Sequence, residues 1–119
     1  SVFAATDRLV ASGHVEMVGV NYYPHHAHEP LHRVLRAVAD RYRLPVMITE
    51  TGWHDGLPAA HRRFPHVRDR WDWLAHVRAE IARSEVPVAG LCWYPWLDMP
   101  AWDNPAHGRW PCGWPGRQA

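Results

Sequence analysis

Val46-Met47-Ile48-Thr49-Glu50-Thr51-Gly52-Trp53 reads as one buried strand that stops at a carboxylate. Three apolar residues and a threonine run into Glu50, and Thr-Gly-Trp then turns the chain away. Continuous apolar runs of this kind belong to parallel strands covered on both faces, whereas strands with one wet face alternate. A glutamate closing such a run is either a costly buried charge or a working group. The segments on either side decide between the two.

Upstream, residues 5–12 have the pattern of a helix end, with Gly13 as its stop. Residues 16–23, Glu-Met-Val-Gly-Val-Asn-Tyr-Tyr, predict a second buried strand ending in polar aromatics. A histidine-rich loop follows from Pro24 to Pro30. Leu31, Val34, Leu35 and Val38 recur at helical spacing within 31–43, with arginines opposite. Downstream of the quoted strand, Gly52, Gly56, Pro58 and Pro65 break 51–66 into loop. Residues 67–84 predict a helix with Val67, Trp71, Leu74, Val77 or Arg78, and Ile81 on its apolar face. Residues 86–94, Val-Pro-Val-Ala-Gly-Leu-Cys-Trp-Tyr, predict a third buried strand. The remainder, 95–119, is rich in proline and glycine and lacks periodicity. It reads as an ordered loop and then a tail over 104–119.

Strands alternating with helices imply a parallel sheet joined by crossovers. Each strand carries its polar or aromatic residues at its C-terminal end, so these residues converge on one rim. Three strands with two crossover helices leave raw sheet edges, a liability on a buried apolar sheet. A closed (β/α)8 barrel needs about 250 residues, and this chain has 119. The expectation is therefore an α/β fold: part of a (β/α)8 TIM barrel, spanning residues 1–119, with the missing strands supplied by another chain or lost by truncation. Functional residues of such barrels sit at the C-terminal ends of the strands.

Composition narrows the function. Apolar residues make up 47% of the chain and charged residues 21%, an ordinary globular balance. A net charge of +1 offers no electrostatic case for nucleic acid or an anionic membrane as partner. No apolar run is long enough to span a bilayer. Ser1 to Thr6 lack the charged start and apolar core of a signal peptide, so a cytoplasmic location is expected. The two cysteines, Cys92 and Cys112, form no disulfide framework; free thiols or one bridge pinning the tail both fit. All 13 basic residues are arginine, and eight residues are tryptophan. Flat rings at strand ends suit the apolar face of a pyranose, although tryptophan also fills cores. Trp93, Trp96 and Trp102 are the candidates for a sugar-binding cleft.

Three motifs in order resemble the last three strands of glycoside hydrolase family 1, the β-glucosidase group of retaining barrel enzymes. Val18-Gly19-Val20-Asn21-Tyr22-Tyr23 resembles the sixth strand, and Ile48-Thr49-Glu50-Thr51-Gly52 the seventh. Tyr94-Pro95-Trp96-Leu97-Asp98 followed by Trp102 resembles the eighth. Thr-Glu-Thr-Gly-Trp also resembles endo-acting galactanases and glucanases of the same clan. The resemblance covers residues 16–103. It implies Glu50 as catalytic nucleophile and Tyr23 as the hydroxyl that steadies it. It implies that Asn21 lines the same cleft and that Trp102 lies in the eighth-strand loop. Tyr94 stands where the family has a tryptophan, with Trp93 beside it. Ala101 stands where the family has a glutamate gripping distal sugar hydroxyls, a role open to Asp103. No Asn-Glu-Pro, which carries the family's acid/base, occurs in the chain.

Retaining hydrolysis uses two carboxyl groups roughly 5–5.5 Å apart, one attacking and one exchanging protons with the leaving group and water. A nucleophile must be ionised, and burial alone disfavours the charged form. Glu50 therefore needs donors. Alternation along the first strand sends only one of Tyr22 and Tyr23 toward Glu50, and Tyr23 is the expected one. No other carboxylate takes the acid role: Glu80 and Glu85 are expected to be solvated on the last helix, and Asp55, Asp98 and Asp103 lie in loops. The implied function is a segment of a retaining β-glycosidase with a carbohydrate substrate, no cofactor and no metal, whose acid/base comes from the missing N-terminal barrel strands. A non-catalytic carbohydrate-binding or barrel-completing segment, or part of an endo-glycanase, stands as the alternative. His25, His26, His28 and His32 fall close enough to suggest a metal site, but they lack the i, i+4 spacing of hydrolytic zinc helices. A polar rim loop is the expected reading.

Overall fold

The computed structural model describes residues 4–56, 58–100, 106, 108–110, 113 and 114. In chain order the elements are α1 (Ala4–Ala11), β1 (Val18–Asn21), α2 (Leu31–Tyr42), β2 (Val46–Thr51), α3 (Pro58–Arg63), α4 (Arg70–Ser84), β3 (Val88–Trp93), β4 (Met99–Pro100) and β5 (Arg109–Trp110). Strands β1, β2 and β3 form one sheet in that order, and both pairings are parallel. The expected α/β architecture is present. No described helix is long and apolar enough to cross a membrane.

Helices α2 and α4 pack against each other over one face of this sheet. The core joins Val20 of β1 and Val46 and Ile48 of β2 to Leu31 and Leu35 of α2 and Trp73 and Val77 of α4. Leu31 and Leu35 lie one turn apart, so they reach the sheet from one side of α2. The other face of the sheet is open: Gly19, Asn21, Thr49, Ala89 and Cys92 are exposed. Helix α1 buries no residue and is held to α2 by Asp7, which accepts from Arg41 Nη2 at 2.6 Å. Gly13 ends α1 at φ 75°, as its sequence position suggested.

Helix α4 starts at Arg70 rather than 67, because the Asp69 side chain caps it by accepting from the Asp72 N–H at 2.9 Å. Its buried face keeps Val77 but differs from the expected one at Trp71 and Glu80. Trp73, Val77, Glu80 and Ser84 are buried, while Trp71, expected in the core, is 56% exposed. Glu80, expected in solvent, is 9% exposed and contacts His32. The region expected to be loop over 51–66 contains α3, so the second crossover holds two helices. The aperiodic region after β3 contains the two-residue antiparallel pair β4–β5. Cys92 is a free, exposed thiol; Cys112 lies outside the described residues.

Candidate functional site at the strand ends

The end of β2 is built on a bulge. Val20 pairs with Ile48 and Asn21 with Glu50, so one step along β1 matches two along β2. On the other side Ile48 pairs with Leu91 and Thr51 with Trp93, three steps against two. Strand β2 therefore carries one extra residue between Ile48 and Thr51 against both neighbours. Strict alternation would place Ile48 and Thr51 on opposite faces. Both are fully buried, and Thr51 Oγ1 accepts from the indole Nε1 of Trp73 on α4 at 3.0 Å. Bulges re-aim side chains in this way. Here the bulge keeps Thr51 on the helix side and leaves Glu50 half-buried.

Tyr23, just past β1, donates its hydroxyl to Glu50 Oε2 at 3.0 Å. The backbone holds the pair in register, since Tyr22 N donates to the Glu50 carbonyl at 2.9 Å. Tyr22 turns the other way. It is buried, stacks on Trp73 at 5.9 Å and 3°, and donates to the Glu29 carbonyl at 3.0 Å. Burial, with the Glu80 carboxylate nearby, pushes the Tyr22 phenol up to about 12, which keeps it a neutral donor. Asn21 is exposed on the open face, where its Oδ1 accepts from Thr49 Oγ1 at 2.8 Å.

Gly52 follows directly. A Cβ at this position would run into the carbonyl oxygen of Tyr94 and lie 3.5 Å from Tyr23 Cε1. The absence of a side chain lets the chain after β2 pass against the end of β3, where Tyr94 N donates to the Thr51 carbonyl at 2.8 Å. Trp93 pairs in register with Thr51, and its ring lies 4.8 Å from that of Trp114. Tyr94 and Trp96 are 47% and 63% exposed. Trp114 gathers Trp71, Trp93 and Trp96 around itself, a cluster that spacing along the chain does not reveal. Trp102 and Asp103 lie outside the described residues.

The histidine-rich segment divides. His25 lies 5.5 Å from the Tyr23 ring and 4.2 Å from His26. Partial burial, then the neighbouring His26 and His54, hold its imidazole below the ordinary value. His26 and His28 line a cleft of about 510 Å³ with Asn21, Tyr23 and Val34 beside the free edge of β1. His32 departs from the rim and is buried against Glu80. Among the described residues, no group of three or more histidine, cysteine, aspartate or glutamate side chains is placed to hold a metal ion.

No protein-family model matches this chain, and no curated protein matches it in sequence. A solved structure of a hyperthermophilic β-glucosidase, a mutant forming a dodecameric structure in the crystal form, is similar over 91% of this chain. The TM-score is 0.61, at 18% identity, and the match covers 31% of that chain. The chain thus spans about a third of the length of the enzyme it matches. At that identity the likeness concerns the fold alone, and it agrees with three parallel strands and their helices forming part of a barrel.

Proposed function

We propose that this chain is the C-terminal portion of a retaining β-glycosidase barrel and acts on a carbohydrate substrate. Glu50 is the nucleophile, attacking the anomeric carbon. Tyr23 orients its carboxylate through a hydrogen bond. Asn21 and the aromatic residues at the end of β3 hold the sugar, with Trp102 and Asp103 contributing from the following loop. The proton donor to the leaving oxygen belongs to N-terminal barrel strands that this chain does not carry. Those strands add to the free edges of β1 and β3 and close over the exposed face of the sheet.

One observation carries this reading. The Tyr23 hydroxyl lies 3.0 Å from Glu50 Oε2 at the C-terminal ends of two adjacent parallel strands. A carboxylate oriented there by a hydroxyl donor has the position that attack requires. The bulge in β2 and the bare backbone at Gly52 are local devices that bring it there.

The test is Glu50→Gln in the complete barrel formed with its N-terminal strands. The substitution is nearly isosteric, so an unchanged near-UV circular dichroism spectrum is expected together with loss of glycoside turnover. Turnover at the wild-type rate would overturn the assignment.

A further inference from the structure

Away from the strand ends, two imidazoles meet between the turn after α3 and the body of α4. His66 Nε2 lies 3.1 Å from His76 Nδ1. Aromatic neighbours hold both rings. Phe64 stands edge-on to His66 at 6.3 Å and 71° and to His76 at 5.1 Å and 65°. Trp73, itself fully buried, stacks on His76 at 5.3 Å and 19°. The indole packs on His76 alone, and the phenyl ring stands beside both imidazoles.

We infer that His66 and His76 form a bidentate site for a late first-row divalent cation of the Cu²⁺, Ni²⁺ or Zn²⁺ class. Imidazole nitrogens bind such ions at roughly 2.0–2.1 Å, so two of them on one ion stand about 3 Å apart. The observed separation meets that value with only a rotation of the rings. Without metal, one nitrogen donates its proton to the other. With metal, the donor ring takes its other tautomer, its proton passing through solvent to the remaining ring nitrogen, so both rings stay neutral and both facing lone pairs turn to the ion. Asp72, one turn before His76, is engaged by Arg68 at 2.8 Å, so solvent completes the coordination. Two neutral nitrogens and water suit the borderline metals and leave hard oxygen-seeking cations such as Mg²⁺ and Ca²⁺ unbound. This site is independent of Glu50.

Calorimetric titration of the full chain with Cu²⁺, the strongest binder of its row, tests the assignment, alongside electron paramagnetic resonance of the loaded protein. One equivalent is expected, with hyperfine structure from two nitrogens. His66→Ala and His76→Ala are each expected to weaken binding by at least the roughly 10-fold that loss of an outer-shell partner costs. His25→Ala combined with His26→Ala is expected to leave it unchanged. His66 is exposed, so its variant keeps the test valid if His76→Ala disturbs packing on Trp73. Absence of stoichiometric binding overturns the inference. So does binding that survives His66→Ala, or binding lost with the rim histidines instead.

Discussion

Glu80 caps helix α2 from the neighbouring helix α4. Its Oε2 accepts from the His32 backbone N–H at 3.0 Å and lies 2.7 Å from the His32 Nδ1, whose N–H donates to it. Helix α2 needs this partner, because its N-cap residue is Pro30, which supplies no side-chain cap. The first N–H groups of a helix have no partner within it, and here one is satisfied across the interface. The carboxylate also lies at the positive end of the α2 dipole. Burial pushes the Glu80 carboxyl up, but the hydrogen bonds from the ring and backbone of His32 outweigh that effect and hold it below its ordinary value.

Glu80→Ala removes the cap and one partner of a buried pair. The expected loss of stability is about 1–3 kcal/mol, the cost of leaving a buried donor without its acceptor. Glu80→Gln keeps an acceptor for the backbone N–H and is expected to cost less. Urea unfolding of the three proteins at neutral pH checks the order.

The same contact predicts a pH dependence. A carboxyl held lower in the folded state than in the unfolded chain stabilises fully above its unfolded value. The contribution then fades as pH falls from the ordinary 4.5 through the lowered folded value. The stability gap between wild type and Glu80→Gln is therefore expected to be widest above that range and to narrow below it. A gap that stays constant on acidification would contradict the lowered Glu80 value.

Thr51→Val tests the bulge. The methyl replaces the hydroxyl that accepts from Trp73 Nε1, at a position with no exposure on either side. The indole N–H is left unpaired in the core, at a cost of about 1–3 kcal/mol. A thermal melt followed by near-UV circular dichroism would register the loss.

Gly52→Ala places a methyl against the Tyr94 carbonyl oxygen. Both partners are backbone or backbone-fixed, so the strand ends must separate. A destabilisation of about 1–3 kcal/mol is expected, as for overpacking in a core. The Tyr94 N–H should also exchange with solvent faster, since its bond to the Thr51 carbonyl is pulled apart.

Tyr23→Phe removes one donor from Glu50 and little else. In the proposed glycosidase the lost bond to a charged acceptor is worth about 1.5–3 kcal/mol, or one to two powers of ten in turnover. Folding should be unchanged. Steady-state kinetics of the complete barrel would show whether the loss falls on kcat.

The alternation of strands and helices was legible along the chain, because periodicity and breakers are local signals. Alternation in β1 showed that only one of two tyrosines could reach β2, while the choice of Tyr23 as the partner of Glu50 came from the resemblance of the strand-end motifs. The stop at Gly13 and the apolar rows of α2 followed from neighbours within one turn. The face of α4 was legible in part: Val77 and Ile81 pack as expected, but Trp73 takes the core place expected for Trp71. Glu80 reads as a solvated helix residue until α2 arrives with an unmet backbone N–H. The extra residue in β2 shows only when its two neighbouring strands are laid beside it. Local sequence thus set the elements and the residues at their ends. Which charge is buried, which tryptophan is exposed and where the sheet slips depended on partners distant in sequence, whose contacts form only when the elements pack.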